Sequence, residues 1–353
     1  MRELNHAQAL REATKQAMVE DHSVVVMGEG VADPRGIFGT TTGLVDDFGH
    51  QRVIETPLSE NAFTGMAIGM ALNGLRPIVT HQRVDFTFLA LDQMINNAAK
   101  WHFMFGGNES VPMVVRMVIG RGWGQGAQHS QSMQALYAHI PGLKVVMPVF
   151  ADEAASLLLG AIEDPNPVIF IEHRWCHYIK GHDPEKITAE PLGKAKVVHE
   201  GSQVTIVAIS YMVLEALEAA EKLAKAGISV EVINLRTIQE WDKETVFKSV
   251  QKTGRLVVAD TGTCSFGVPA EIITSVCENC FGSLKEAPMR VASPDYPSPS
   301  SSALSQNYYP GAKEIAQACL KTLNEDEKKL GISWPKHHPY DCDRPNPEFQ
   351  GPF

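Results

Sequence analysis

The sequence predicts an α/β protein of two domains, each built on a mostly parallel sheet. Three observations predict it: apolar, β-branched runs recur along the chain, helix-length segments separate them, and a polar connector divides them into two sets. Strands that read as continuous apolar runs, rather than alternating ones, are buried on both faces by helices, as parallel strands are.

The first set holds SVVVMGE (23–29), RVIETP (52–57), RPIVTHQ (76–82), VPMVVRMVI (111–119), LKVVMPV (143–149) and PVIFIEH (167–173). Helix-length segments lie between them at 59–73, 85–105, 130–139 and 151–163. Ahead of these, MRELNHAQALREATKQAMVED reads as an amphipathic helix with Leu4, Ala7, Leu10, Ala13 and Ala17/Met18 on one side. The polar connector, 176–200, contains Gly181, Asp183, Pro184, Pro191 and Gly193. The second set follows: VTIVAIS (204–210), a helix through Ala226, VEVINLR (230–236), a helix after Asp242, RLVVADT (255–261), a helix near 268–281, MRVAS (289–293) and a last helix from about Gly311. The expected limits are therefore 1–175 and 201–325 for the domains, with an extended tail, 326–353, rich in Pro, His and Asp.

At 353 residues the chain is too long for one ordinary domain. It is 44% hydrophobic and 20% charged, with 41 acids against 31 bases and a net charge of −10. No run of Lys or Arg stands out, so neither a nucleic-acid surface nor an anionic membrane surface is expected. No apolar stretch approaches a membrane span, and the N-terminus lacks the apolar core of a signal peptide. Six scattered cysteines include one CxxC pair, Cys277 and Cys280, with no second pair or His cluster to complete a zinc site. They read as packing residues in a reducing cytoplasm.

Three segments carry candidate chemistry. Gly120-Arg121-Gly122-Trp123-Gly124-Gln125-Gly126 follows a strand but fits neither a dinucleotide fingerprint nor a P-loop, so by spacing it is a loop whose glycines permit unusual backbone angles. Thr56-Pro57-Leu58-Ser59-Glu60-Asn61 ends a buried strand and opens a helix, with Ser59 as the expected N-cap. Glu60 is then either a first-turn acid favoured by the helix dipole or a carboxylate at the strand edge where ligands of parallel sheets gather. Gln128-His129-Ser130-Gln131-Ser132 follows the Gly-rich loop. No Gly-x-Ser-x-Gly elbow occurs, and nothing nominates a serine or cysteine nucleophile.

Taken together, the segments resemble the β subunits of the branched-chain 2-oxoacid, pyruvate and acetoin dehydrogenases. The resemblance runs from about residue 4 to about 325, through GEGV (28–31), GIFGTTTGL (36–44), RVIETPLSE (52–60), GMAIGMALNGLRPI (65–78), DFTFLALDQMINNAAK (85–100), HSQSMQALYAHIPGLKVVMP (129–148), AIEDPNPVIFIE (161–172) and KTGRLVVAD (252–260). It implies a thiamine-diphosphate pyrimidine-binding domain followed by a transketolase C-terminal-like domain. It also implies an oxidoreductase activity, the oxidative decarboxylation of a 2-oxoacid with transfer of the acyl group to a lipoyl carrier.

The resemblance assigns roles. Glu60 matches the carboxylate that hydrogen-bonds the aminopyrimidine ring, where a buried acid with raised proton affinity suits proton exchange. Glu29, in GEGV, and Phe86 match further cofactor-binding positions, Phe86 offering a flat ring face to the aminopyrimidine. His129 matches the histidine near the substrate and the lipoyl group, where imidazole moves protons at neutral pH. Ala161, Ile162, Asp164 and Asn166 resemble a structural potassium site. The family's diphosphate and magnesium motif, Gly-Asp-Gly followed by paired Asn, is absent from the sequence and in the family lies on a separate α subunit. The implied assembly is an α2β2 heterotetramer docked on a lipoyl-bearing acyltransferase core, inactive without its α partner.

The chain also departs from the family. Where Glu-Ile-Gln-Phe-Ala-Asp is usual it has Thr80-His81-Gln82-Arg83-Val84-Asp85, and Arg174-Trp175 replaces a common Leu-Tyr. Arg83, Arg121 and Arg174 could fork onto a second anionic group of the substrate, or pair with acids at the α/β interface. Two alternatives stand beside the dehydrogenase: the C-terminal half of a split transketolase, and a non-catalytic regulatory or scaffold subunit. The retained Glu60, Phe86 and His129 argue against the second. The sequence leaves the 2-oxoacid and the acceptor open.

Overall fold

The computed structural model describes residues 2–121, 124–183 and 186–334. Gly122 and Trp123 of the Gly-rich segment, Pro184 of the connector and residues 335–353 of the expected tail lie outside the described residues.

The chain packs as two units. Among the described residues, the first runs to Gly120 and resumes from Leu136 to Leu192; the second takes Arg121–Ala135 and 193–334. By sequence, Arg121–Ala135 falls inside the span 1–175; by packing it joins the second unit.

In the first unit, β1 (Arg2–Asn5) leads into α1 (His6–Glu20), which Asn5 starts by capping Gln8 N–H at 2.9 Å while the Gln8 side chain caps back. Then come β2 (Val24–Gly28), β3 (Val53–Glu55), α2 (Glu60–Leu72), β4 (Arg76–His81), β5 (Val114–Ile119), β6 (Lys144–Val146), α3 (Ala151–Glu163), β7 (Val168–His173) and β8 (Lys180–Asp183). The strands lie in the order β6-β7-β5-β4-β2-β3, all parallel, with Val26 beside Val53 and Ile78 and Val114 beside Ile78 and Val168. The core forms where α1 meets α3: Leu10, Met18, Leu157 and Leu158 are fully buried with Phe170 and Val24 beneath them. Each such side chain contributes roughly 1.5–3 kcal/mol relative to exposure.

Three stretches differ from expectation. Leu4 sits in β1, not in the first helix, because Asn5 takes the cap position. The stretch 85–105 is four short turns: Val84–Thr87, Phe88–Ala90, a π-helical Gln93–Ala98 and Ala99–Met104. The Asn97 side chain donates to the Asp92 carbonyl at 3.4 Å, a local side-chain contact to backbone within the π-helical turn, while Asn96 donates to the Asp92 carboxylate at 2.7 Å. The helix of 130–139 shortens to Gln134–Ala138, and the connector carries β8, antiparallel to β1.

The second unit's sheet contains β9 (Lys196–His199), β10 (Val204–Ala208), β11 (Val230–Asn234), β12 (Leu256–Thr263) and β13 (Met289–Ser293) in the order β13-β12-β10-β11-β9. All pairs are parallel except the edge pair β11–β9. Helices α4 (Met212–Lys225), α5 (Lys243–Thr253), α6 (Val268–Cys280) and α7 (Ala312–Leu323) accompany it. Cys277 and Cys280 lie on α6 as free thiols.

Candidate active site

Three carboxylates converge at the C-terminal edge of the first unit's sheet, where open parallel sheets bind their ligands. β2 ends at Gly28, whose φ is +148° and where a Cβ would collide with the Thr80 carbonyl oxygen. Only glycine lets the chain turn out so close to β4. Glu29 follows directly. Glu55 closes β3, and its two oxygens accept from the N–H groups of Gly30 at 2.6 Å and Ala32 at 2.9 Å, fixing the loop behind Glu29. Glu60 opens α2 and is 8% exposed, at the helix end whose free N–H groups favour negative charge. Ser59 holds the N-cap position without capping: its hydroxyl donates to the Pro57 carbonyl at 3.2 Å. The short Thr-Pro-Leu-Ser turn keeps it on that local acceptor.

Burial raises the proton affinity of Glu29, and the charges of Glu60 and then Glu55 raise it further. Glu29 Oε1 is buried with no hydrogen-bond partner among the described residues. The cluster therefore calls for a donor. Among the described residues, no group of three or more His, Cys, Asp and Glu side chains is arranged to hold a metal ion.

Beside these acids, β4 ends at the buried His81, whose Nε2 lies 3.3 Å from Thr64 Oγ1 and whose ring sits 5.0 Å from that of Phe63. Burial pushes its pKa down to about 3, so the imidazole is neutral. The chain leaving β4 carries the half-buried Phe86, whose N–H donates to the Arg83 carbonyl at 3.2 Å. The next turn, Phe88–Ala90, packs against α2, tying the Phe86 segment to the helix that Glu60 begins.

The arginines are engaged within the chain. Buried Arg83 donates to the Gly120 carbonyl, and its Nε lies 3.6 Å from Asp85. Arg174 lies over the Phe38 ring at 4.6 Å and donates to the Tyr178 hydroxyl at 3.1 Å. In the second unit, Arg121 covers the Tyr309 ring at 3.6 Å. That unit also holds His129, half-buried, its N–H donating to the Gly126 carbonyl at 3.3 Å.

Ala161 and Ile162 fall in the last turn of α3, with Asp164 and Asn166 following, at the opposite edge of the sheet from Glu60. Arg76 donates to the Ile162 carbonyl at 2.7 Å, and the Lys144 ammonium sits 2.5 Å from Asp164 Oδ2. Asn166 N–H donates to Asp164 Oδ1 at 2.9 Å. A potassium ion here would share these oxygens with two protein cations.

Glu29 and Glu60 are thus brought together; Phe86 lies in the turn before Phe88–Ala90, which is the part that packs on α2, and His129 belongs to the other unit. Glu55 was missed by sequence reasoning. Its signal was an acid closing the otherwise apolar strand VIE (53–55), directly before the turn that leads to Glu60.

The family descriptions that match are a transketolase pyrimidine binding domain over residues 2–176 and a transketolase C-terminal domain over 193–315. The chain is 42% identical to the acetoin:2,6-dichlorophenolindophenol oxidoreductase subunit beta of Cupriavidus necator, over 91% of this chain and 98% of that protein. It is 43% identical to the mitochondrial pyruvate dehydrogenase E1 component subunit beta-2 of Oryza sativa subsp. japonica, over 91% of this chain and 86% of that protein. Among solved structures, an inactive β4 tetramer of a split-gene transketolase superposes with a TM-score of 0.75 over 91% of this chain and 98% of that one, at 22% identity, a likeness of fold. The chain belongs to the family of pyruvate and acetoin dehydrogenase β subunits, oxidoreductases built from a transketolase-type pyrimidine-binding domain and a transketolase-type C-terminal domain.

Proposed function

We propose that this chain is the β half of a thiamine-diphosphate-dependent 2-oxoacid dehydrogenase, working in an α2β2 heterotetramer that decarboxylates a 2-oxoacid and passes the acyl group to a lipoyl carrier on an acyltransferase core. The observation that carries this proposal is the unmatched Glu29 Oε1 beside Glu60, in a domain of the pyrimidine-binding type. Two neighbouring acceptors at a strand edge fit a heterocycle that presents N–H donors. Thiamine diphosphate, when bound, supplies the C2 nucleophile and electron sink. Glu60 would hold the proton at the aminopyrimidine ring nitrogen, Glu29 would accept from the same end, and Phe86 would pack on the ring. Burial, and then the charges of Glu60 and Glu55, raise the proton affinity of Glu29. His129 would serve the acyl-transfer step as proton carrier. The absence of a diphosphate motif from the sequence supports leaving magnesium and the phosphates to the α subunit. A potassium ion at Ala161, Ile162, Asp164 and Asn166 would have to compete with Arg76 and Lys144 for its oxygens.

The domain limits 1–175 and 201–325 and a cytoplasmic location belong to the same proposal, the latter supported by free thiols. Among the described residues no helix is long and apolar enough to cross a membrane.

The test is reconstitution. The purified chain alone should show no turnover and little magnesium-dependent binding of thiamine diphosphate. Adding an α-type subunit should produce both, with 2-oxoacid-dependent reduction of an artificial electron acceptor. Tight magnesium-dependent binding by the chain alone would overturn the shared site.

A further inference from the structure

In the second unit, β12 opens with the wholly apolar, buried run Leu256–Ala259, and Asp260 follows it at 0% exposure. Its Oδ1 accepts from Gln134 Nε2 at 2.6 Å, and that nitrogen also lies 3.3 Å from Thr261 Oγ1. Gln134 is itself fully buried. Asp260 Oδ2 and Gln134 Oε1 are both buried with no hydrogen-bond partner among the described residues. A bare carboxylate leaves two acceptors unmatched in one buried pair, and each orphan is costly. A single proton on Asp260 supplies the missing donor.

We infer that Asp260 is a positioning residue, forming with Gln134 a proton-dependent latch on the segment that carries His129: an acid–amide pair when Asp260 is protonated, a single hydrogen bond when it is not. Gly262 leaves room for the pair, since a Cβ there would come within 3.1 Å of Gln134 Nε2 and 3.2 Å of Asp260 Oδ2. The segment has other anchors in the same unit: Arg121 on the Tyr309 ring, and Gly124, where a Cβ would lie 2.8 Å from the Ser300 carbonyl. Of these contacts, the one between Gln134 and Asp260 titrates in the neutral range.

Burial pushes the Asp260 carboxyl up to about 6, against the Gln134 amide and the N–H groups of Gly262 and Thr261. β10 contributes no ionisable side chain. Four charged groups on the other elements packed on β12 have partners of their own, while Glu218, Glu221, Lys222 and Lys225 on α4, Glu278 on α6 and Lys313 and Lys321 on α7 complete the charges those helices carry. Arg290 on β13 donates to the Cys264 carbonyl, Glu215 on α4 accepts from Ala312 N–H, Glu271 on α6 faces Ser275, and Glu314 on α7 accepts from Gly311 N–H. From the segment itself the titratable residue is His129. Because the folded pKa lies above the unfolded value of 3.8, the latch is whole in acid and loosens as pH rises through about 6.

Amide hydrogen exchange of the 124–134 peptide in the full chain, corrected for intrinsic rates, tests this. In the wild type, protection should fall on the order of tenfold between about pH 5 and about pH 7.5, the size of one lost buried hydrogen bond. Asp260→Asn offers both a donor and an acceptor at every pH, so it should stay protected throughout. Gln134→Ala should exchange fast at both. Wild-type protection independent of pH, or Asp260→Asn exchanging as fast as Gln134→Ala, would overturn the latch. The wild-type profile needs no variant, and peptides from β5 and β10 report whether each variant is folded. Any effect on turnover rests on the role proposed for His129, but exchange is read without turnover, so a failed latch leaves that proposal standing.

Discussion

Arg116 and Glu172 form an ion pair inside the first unit: Nε lies 2.7 Å from Oε1, and each side chain is 1% exposed. The second carboxylate oxygen takes His177 Nε2 at 3.0 Å. Burial alone would raise the proton affinity of Glu172; Arg116 and His177 reverse this and bring its pKa down to about 2. The pair bridges β5 and β7, neighbours in the middle of the sheet.

Breaking that pair from one side should be expensive. Glu172→Gln leaves the Arg116 charge uncompensated, a loss of roughly 3–5 kcal/mol. Replacing both together, Arg116→Met with Glu172→Leu, should cost far less. Urea unfolding of the full chain measures both. A single-variant loss below about 1 kcal/mol would mean that water screens the pair as it does a surface one.

Two buried histidines should make the first unit acid-labile. Burial holds His6 at about 4 and His81 at about 3, against 6.5 for the free side chain. The unfolded chain takes up protons at these sites below pH 6.5 and the folded chain does not, so their contribution is complete above 6.5 and is lost as pH falls. By about pH 5 the loss is roughly 2 kcal/mol for each. Unfolding midpoints across this range, in the wild type and in His6→Gln, give the check. Equal pH slopes in the two proteins would rule out His6 as a source.

Glu60→Gln keeps the shape of the side chain and removes its proton. The reconstituted complex should lose activity on the order of 10²–10⁴-fold, with the fold and the α–β association unchanged. Near wild-type turnover would remove Glu60 from the chemistry. His129→Ala should instead slow transfer to a lipoyl acceptor more than decarboxylation measured with an artificial oxidant.

Substrate preference should not depend on Arg83. Its guanidinium is already committed to Gly120 and Asp85, so Arg83→Ala should lower stability yet leave the ranking of pyruvate, branched-chain and dianionic 2-oxoacids as it was. A selective loss of kcat/KM for dianionic substrates would reinstate it as a substrate ligand.

Much of the fold was legible because its strands are dominated by apolar, β-branched residues: VVVM, VVRMVI and VIFIE are each buried along their whole length, Arg116 and Glu172 included. The helix-length segment read at 151–163 is the helix Ala151–Glu163, whose start Glu153 fixes by accepting from the N–H groups of Val149 and Phe150. What escaped depends on contacts distant in sequence. The Asp260 partner is 126 positions away, and nothing in QSMQALY singles out Gln134 as its match. The clamp of Glu55 on Gly30 and Ala32 likewise needs β2 and β3 side by side. For the arginines, the sequence announced charge without saying that Asp85, Phe38 and Tyr309 would absorb it.

Because Arg121–Ala135 packs with the second unit while its flanks belong to the first, the described backbone passes between the units after Gly120, after Ala135 and after Leu192. Neither unit is a continuous stretch of gene. A cut in the connector would yield an amino-terminal fragment bearing a segment shaped for an absent host, and a carboxy-terminal fragment with a gap where Gln134 belongs. Chimaeras between relatives should therefore work only when 121–135 travels with the second unit's sheet, and a crossover placed at the connector alone would join mismatched halves.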